Sequence, residues 1–393
     1  MTRQAVAADA PSFTDTITEL FADCPPSPRL RVTVVVPVRN EADHLVQTLD
    51  ALRGQLDGQG KPLRPDSFEV LMLLNNCTDE SYAVAAAYQR QHPTFALHLA
   101  DVWLAAAQAN IGTVRRLLMD AACRRLMSTP AGCGIIASTD GDTVVDRQWL
   151  HHIMAEIANG NDAVGGRILT RPDNSSVRLN HLRDVTYRTL VARVEALLDP
   201  HPNDPWPRHF QHFGASIAVT CAMYLKAGRL PQLPYLEDEA FYRALLRTDA
   251  RIRKSPQVRV FTSTRMAGRV EVGFSQQLAY WADMNGAGRE QVVEPAEAVV
   301  TRIRNRQRLR FCWQAQAFSR AQEHLRLVAE ELRLDPHWLA QEVTKHPFFG
   351  QLWERVETEL TPGRWVAAWP LSPITQAIQE LRTYIREFEA ATC

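Results

Sequence analysis

Neither sign of charge is in excess in this sequence: 44 Lys and Arg stand against 44 Asp and Glu over 393 residues, a formal net charge of zero. Bulk charge therefore makes no case for nucleic acid or an anionic surface as partner. The seven cysteines, at positions 24, 77, 123, 133, 221, 312 and 393, are odd in number and scattered, without a CxxC pair or a Cys/His metal spacing. A disulfide framework and a zinc module are thereby excluded, and reduced thiols in a cytoplasmic protein are expected. The sequence has no run of 18 apolar residues, so no spanning helix is expected, although this leaves peripheral membrane contact open. The opening MTRQAVAADAPSFTD lacks the apolar core of a secretory signal. Internal repeats and low-complexity tracts are also missing. What is present is an ordinary globular balance, 46% hydrophobic and 22% charged, suited to two domains or one large domain with an appendage.

Residues 1–28 read as a leader, closed by the proline-rich CPPSP. The β-branched run LRVTVVVPV (30–38) is a buried strand by composition, as are FEVLMLL (68–74), residues 95–100, 134–137 and 163–169. Helical patterns fill the intervals, at 40–53, 78–91, 111–127 and 147–159. Strands alternating with helices predict a parallel sheet covered on both faces. The pattern changes after about residue 170. One long helix is expected over 175–198, then the Pro/His/aromatic loop HPNDPWPRHFQH (201–212), a small-residue stretch at 213–224, an acidic helix start at LEDEAFYRALL (236–246) and a late strand at 258–263. From about residue 273 the pattern is helical, with tryptophans spread through it.

The candidate chemistry centres on CGIIASTDGDTVVD (133–146). An apolar strand runs into Asp140 and Asp142, separated by one glycine. In extended chain, i and i+2 point the same way, so both carboxylates are expected to face one divalent cation. Ligands of open α/β sheets bind beyond the carboxyl ends of the strands, which is where this pair falls. The rival reading is a turn in which Asp and Gly serve only backbone geometry. Four other stretches carry weaker signals, each with a plain structural alternative. Val36-Pro37-Val38-Arg39-Asn40-Glu41 either lines a ligand at the strand tips or simply opens a helix. Asn75-Asn76-Cys77-Thr78-Asp79 either caps the next helix or offers the Asn75 amide to a base edge. Gly112 with Arg115 and Arg116, opening a helix, is either an anion cradle or a solvated basic turn. Glu237-Asp238-Glu239 sets carboxylate repulsion against a helix N-terminus, which suits a general base but equally an acidic cap. Of the histidines, His209 and His212 are the better candidates, and the basic run TRIRNRQRLR (301–310) reads as a solvated helix face.

Taken in order, VPVRNE, NNCTDES, the Gly/Arg helix start, Asp140-Gly141-Asp142 and Glu237-Asp238 resemble the family 2 glycosyltransferases of the GT-A fold. Thr262-Ser263-Thr264-Arg265 followed by Gly268-Arg269 is similar to a piece many members carry after the acidic motif. The resemblance covers roughly residues 30–275. It implies an α/β fold with a Rossmann-like, mostly parallel sheet flanked by helices, here with a C-terminal helical extension. Residues 29–170 would form the nucleotide-sugar-binding half, 171–275 the acceptor half and 276–393 the extension, which would cover the acceptor side, self-associate or dock a partner.

Position by position, the resemblance implies that Pro37, Arg39 and Glu41 line the nucleotide pocket and that Arg115 and Arg116 lie near the diphosphate. Asp140 and Asp142 would be the DxD pair that holds Mg²⁺ or Mn²⁺ on the diphosphate, with Asp140 also touching the donor. Asp238 would be the base that deprotonates the acceptor, with inversion at the anomeric carbon. Two positions depart from the pattern. Asn75 stands where the family usually has aspartate, which leaves the donor open between a UDP- and a GDP-sugar. No histidine follows Asp238 until His324, so the metal would rest on Asp142, the diphosphate and water. The rival readings are a GT-A module that binds nucleotide-sugar or a partner without turnover, and a sugar-phosphate nucleotidyltransferase. The second usually has a glycine-rich loop after the first strand, and VPVRNE has no glycine.

Overall fold

The computed structural model describes residues 4–5, 20–170, 175–262, 274–315, 319–360 and 364–392. The chain divides into two compact units. One comprises Met1–Pro172, Gln211–Leu245 and Ala250–Gly273, and the other Asp173–Phe210, Leu246–Asp249 and Phe274–Cys393.

The strands of the first unit are β1 (Gln4–Ala5), β2 (Val32–Val38), β3 (Phe68–Asn75), β4 (Leu97–Trp103), β5 (Ile135–Ser138), β6 (Val144–Val145), β7 (Ala163–Thr170), β8 (Ile217–Thr220) and β9 (Ile252–Thr262). Among the described residues they form one sheet in the order β1-β4-β3-β2-β5-β8-β7-β9-β6. Its helices are α1 (Ala42–Arg53), α2 (Ser81–Gln91), α3 (Ile111–Met127) and α4 (Trp149–Ala158). After α5 (Arg178–Leu198), which belongs to the second unit, come α6 (Cys221–Lys226) and α7 (Glu237–Leu246). The sheet is parallel from β1 through β5, and β7 pairs with β9 in parallel.

Alternation along the strands sends side chains to two cores. Val32, Val34, Val36 and Val38 of β2, with Val70, Met72 and Leu74 of β3, pack under Leu45 and Leu49 of α1, Tyr88 of α2 and Trp149 of α4. Val35, Leu71, Leu73 and Ile136 pack on the other face, against Leu117, Leu118 and Ala121 of α3 with Tyr224 and Phe241. Burial on both faces is why these strands read as continuous apolar runs rather than as alternating ones.

Two elements escape the pattern. β8 lies in the small-residue stretch and pairs antiparallel with both β5 and β7, a reversal that no apolar run announces. The late strand begins at Ile252, six residues before the expected start, which the sequence hides because its first residues include the buried polar Arg253, Lys254 and Ser255. Its register against β7 shifts between Gly166 and Arg167. The end of that expected strand, Ser263, lies outside the described residues, as do Thr264, Arg265, Gly268 and Arg269 of the motif that follows it.

The second unit is helical: α5, α8 (Phe274–Gly286), α9 (Ala296–Gln314), α10 (Ser319–Glu331), α11 (Pro336–Lys345), α12 (Phe349–Leu360), α13 (Arg364–Ala368) and α14 (Ile374–Thr392). Short strands β10 (Val292–Val293) and β11 (Ser372–Pro373) pair antiparallel beside them. Leu339, Leu352, Trp353 and Trp365 contribute to one apolar cluster, and Val194, Val299, Ile303 and Leu381 to another. The basic run of α9 is not the solvated face that its composition suggests. Arg302 pairs with Glu294 at 2.8 Å, Arg306 with Asp199 at 2.7 Å, Arg308 with Glu331 at 2.7 Å and Arg310 with Asp199 at 3.0 Å. Burial opposes the charge on Asp199, but the His201 hydrogen bond and the two arginines outweigh it and hold its carboxyl well below the usual range. None of the six described cysteines forms a disulfide, and no described helix is long and apolar enough to cross a membrane.

Candidate active site

The site is built from loops at the carboxyl ends of β2, β3 and β5. After β2 the chain reverses at Asn40, which takes a left-handed φ of 54°. Its Oδ1 accepts from the Thr78 N–H at 2.7 Å, and its Nδ2 donates to Thr78 Oγ1 at 3.1 Å. Helix α1 has no side-chain cap from its own Glu41. The cap comes from the next loop: Ser81 Oγ accepts from the Glu41 N–H at 2.8 Å and Asp79 Oδ2 from the Ala42 N–H at 3.1 Å. Asn76 is bound to both backbone groups of Leu104, at 3.0 and 2.9 Å. Residues 76–81 thus tie loops together. Asn75 is different. It closes β3 at 5% exposure, on the sheet face it shares with Leu71 and Leu73, and so turns toward α3. Pro37 is buried on β2 opposite Leu73, and Arg39 is exposed, donating to the Ala109 carbonyl at 3.2 Å just before α3.

Strand β5 stops at Ser138, so Asp140 and Asp142 are not on extended chain. The Thr143 N–H donates to the Asp140 carbonyl at 3.2 Å, closing a turn across Gly141 and Asp142. The carboxylates are brought together by this turn rather than by strand alternation, which corrects the reasoning from i and i+2. Thr48 Oγ1 of α1 donates to the Gly141 carbonyl at 3.0 Å, and a Cβ on residue 141 would sit 3.3 Å from Glu41 Cγ and 3.5 Å from the Pro37 carbonyl oxygen. Pro37, Glu41 and the Asp140–Asp142 turn therefore touch.

Arg115, in the first turns of α3, joins this turn to the acidic motif. Its Nη2 donates to Asp140 Oδ1 at 3.0 Å and its Nε to Glu237 Oε1 at 3.1 Å, while Nη1 donates to Ser138 Oγ at 2.6 Å and to the Gly214 carbonyl at 3.1 Å. The guanidinium is 3% exposed, Glu237 5% and Asp140 34%. A Cβ at residue 214 would lie 2.7 Å from Arg115 Cζ, so only glycine admits the guanidinium there. The same Gly214 donates its N–H to Asp238 Oδ2 at 2.7 Å, and the Glu239 N–H donates to Asp238 Oδ1 at 2.8 Å. Asp140, Glu237 and Asp238 are thereby held in one hydrogen-bonded network, although Asp140 and Asp238 lie far apart in sequence.

The electrostatics follow from the count of charges. Three carboxylates, Asp140, Glu237 and Asp238, share one buried guanidinium, and Asp142 lies near enough to Asp140 to act on its charge. Burial pushes the Asp140 carboxyl up; Arg115 opposes this, and the Asp142 and Asp238 charges add to it. Burial likewise raises Glu237, with Arg115 opposing and Asp238 adding. Glu239 is held down at about 2, chiefly by the hydrogen bond with His212, whose Nε2 is 2.6 Å from Glu239 Oε2. The His212 ring stacks on Tyr242 at 3.8 Å. Among the described residues no group of three or more His, Cys, Asp and Glu is arranged to hold a metal. The donor set nevertheless fits a hard divalent cation that takes one or two carboxylates and completes its shell from a bound phosphate and water.

Arg116 does not join the network. Neighbouring helical residues point about 100° apart, and Arg116 binds Asp120 at 2.7 Å and the Leu230 carbonyl at 2.7 Å instead. His209 is buried and belongs to the second unit. Ser138 and Gly214, both partners of Arg115, carried no signal in the sequence beyond Ser138 preceding Asp140 by two residues.

No family model matches the chain, and no curated protein does. Several solved structures are similar to it at low identity. The mannosyltransferase PcManGT from Pyrobaculum calidifontis, in complex with GDP-Man and Mn²⁺, is 16% identical with a TM-score of 0.42, over 95% of this chain and 91% of that one. TarS 1-349 of S. aureus in complex with UDP is 16% identical with a TM-score of 0.45, over 92% of each chain. Glucosyl-3-phosphoglycerate synthase from Mycobacterium tuberculosis, with Mn²⁺, UDP and phosphoglyceric acid, is 15% identical with a TM-score of 0.37, over 67% of this chain and 83% of that one. At these identities and TM-scores the likeness assigns no activity.

Proposed function

We propose that the protein transfers a sugar from a nucleotide-sugar donor to an acceptor hydroxyl, with inversion at the anomeric carbon. The observation that supports this most directly is the Arg115 guanidinium, which holds Asp140 and Glu237 at the carboxyl ends of the strands. Residues 29–170 would bind the donor, 171–275 would shape the acceptor side and 276–393 would form the helical extension. Pro37, Arg39, Glu41 and Asn75 line the nucleotide pocket in this reading, and the Asn75 amide, able both to donate and to accept, meets the base edge of a UDP- or GDP-sugar. Asp140 and Asp142 would hold Mg²⁺ or Mn²⁺, which when bound offsets the charge developing on the departing diphosphate, an effect worth several kcal/mol.

The chain's own groups do the rest. Asp238 takes the proton from the acceptor hydroxyl, a contribution of about 10²–10⁴-fold in rate. Two backbone N–H groups fix the direction of its carboxylate, and a carboxylate with about four lone-pair sites can accept a further hydrogen bond. Arg115 has four donor contacts within the protein, so its role is to hold Asp140 and Glu237 in place beside the donor rather than to bind phosphate itself.

The test is calorimetry with UDP- and GDP-sugars, with and without Mn²⁺, on the wild type and Asp238→Asn. The variant should bind donor as the wild type does and lose transfer. Turnover retained in Asp238→Asn would remove it as the base, and absence of donor binding in the wild type would remove the whole reading.

A further inference from the structure

The loop ahead of Gly214 is fastened at successive residues. Gln211 binds both backbone groups of Ile168 on β7, its Oε1 accepting from the N–H at 2.8 Å and its Nε2 donating to the carbonyl at 3.0 Å. Gly214 gives its carbonyl to Arg115 and its N–H to Asp238. His212, between them, lays its side chain on α7. Glu239 and Tyr242, one helical turn apart, share a face of that helix, and both meet the ring. Nε2 is 2.6 Å from Glu239 Oε2, and the ring lies flat on Tyr242, with 3.8 Å between centroids and 10° between planes. The Glu239 carboxyl, held down at about 2, is ionised and can only accept, so Nε2 carries the hydrogen and the imidazole donates. Arg243 donates to the other oxygen, Oε1, at 2.9 Å.

Asp238 therefore sits between two clamped carboxylates. Arg115 of α3 holds Glu237, and His212 holds Glu239. Residues two apart on a helix point about 200° apart, so the clamps grip the start of α7 from opposite sides. The second clamp also closes a ring. Glu239 supplies the N–H that meets Asp238 Oδ1 at 2.8 Å. Gly214, two residues after His212, supplies the N–H that meets Oδ2 at 2.7 Å. The bond from His212 to Glu239 ties together the two segments whose amides aim the carboxylate.

We propose that His212 is a positioning residue for the candidate base: its hydrogen bond to Glu239 keeps the Gly214 and Glu239 amides at the spacing that directs Asp238 toward the acceptor. This rests on the assignment of Asp238 made above. Without the clamp, loop and helix start move independently, and the carboxylate loses its fixed direction. Pro37, Arg39, Glu41 and Asn75, assigned to the donor, lie at the ends of β2 and β3. The effect therefore falls on turnover rather than on donor affinity.

The experiment compares full-length wild type, His212→Phe, His212→Gln, Glu239→Ala and Asp238→Asn, with circular dichroism checking that each is folded. Phenylalanine keeps the stack on Tyr242 and removes the hydrogen bond. Glutamine places an amide N–H near the position of Nε2. Glu239→Ala removes the same bond from the other partner. The first readout needs no turnover: hydrogen exchange of the Gly214 N–H, by NMR on protein labelled with ¹⁵N-glycine. Exchange should quicken by about tenfold or more in His212→Phe and Glu239→Ala, as expected for a weakened hydrogen bond to a charged group, and stay near wild type in His212→Gln. The second readout is release of nucleoside diphosphate from UDP-glucose and GDP-mannose with Mn²⁺, water serving as acceptor. In the two bond-breaking variants kcat should fall by about tenfold or more with donor KM unchanged, the cost of a misplaced catalytic group, and His212→Gln should recover it. Unchanged Gly214 exchange in both bond-breaking variants overturns the proposal. Wild-type kcat in His212→Phe, with Asp238→Asn slow, overturns it and leaves the base standing. Wild-type kcat in Asp238→Asn removes the base, and the positioning role with it. Where neither donor is turned over, Gly214 exchange decides alone.

Discussion

Replacing Arg115 with Gln should destabilise the first unit by about 3 kcal/mol. Truncating one partner of a buried ion pair costs about 3–5 kcal/mol, because the other charge is stranded. Glu237, 5% exposed, takes that penalty in full. Asp140 is a third exposed, so its share falls toward the ~0–1 kcal/mol of surface pairs. A glutamine amide keeps one of the contacts to Ser138 or the Gly214 carbonyl and returns about 1 kcal/mol. Urea unfolding followed by circular dichroism, at a slope of about 1–3 kcal/mol per molar, should show a midpoint lower by about 1 M or more. Hydrogen exchange in peptides from Ile111–Met127 and Ile135–Ser138 places the loss in the first unit rather than the second. Adding Glu237→Gln neutralises the stranded carboxylate and should restore roughly half the loss. Arg115→Lys should fall between, since a point charge cannot reproduce the fork. A destabilisation under about 1 kcal/mol, or no recovery in the double variant, refutes the counter-charge account of Arg115.

Three further outcomes are expected. Asp142→Ala should abolish the Mn²⁺-dependent part of nucleotide binding in calorimetry while leaving the fold intact; unchanged metal dependence removes Asp142 from the site. Arg116→Ala should cost about 1–3 kcal/mol through its lost bonds to Asp120 and the Leu230 carbonyl, yet leave nucleotide affinity as it was. Glu69 is held at about 2: burial works against its charge, and Arg125, at 2.6 and 2.8 Å, and His98 overcome it. A depressed carboxyl contributes stability that is fully present above its unfolded value of 4.5 and is lost as pH falls through about 2. The difference is worth about 3 kcal/mol. Urea midpoints of the wild type should drop over this window, and Glu69→Gln should lack that part of the drop.

The parts of the fold legible in the sequence were those carried by local pattern. VTVVVPV and FEVLMLLN are buried on both faces, so each announces a strand without its neighbours. β8 does not, because its four residues, IAVT, owe their strand to the partners on either side. The polar opening of β9 hides for the same reason: Arg253 and Lys254 are buried at 8% exposure, contrary to what their composition suggests. In α9 the charges look solvated in a linear reading, and only folding supplies Glu294, Asp199 and Glu331 to pair with them.

The candidate site divides in the same way. Asp140-Gly141-Asp142 at a strand end and Glu237-Asp238 at a helix start were each visible as short motifs, because strand tips and helix caps are local events. Their union was not. Arg115 and Arg116 are equivalent on paper, and the direction each leaves α3 decides which one reaches Ser138, Asp140, Gly214 and Glu237. By itself the sequence determined the strands with continuous apolar runs, most of the helices and the acidic groups available to chemistry, since those follow from periodicity and residue type. The tertiary structure alone decided which charges share one guanidinium, because that depends on Gly214 admitting Arg115 to within van der Waals contact across about a hundred residues of chain.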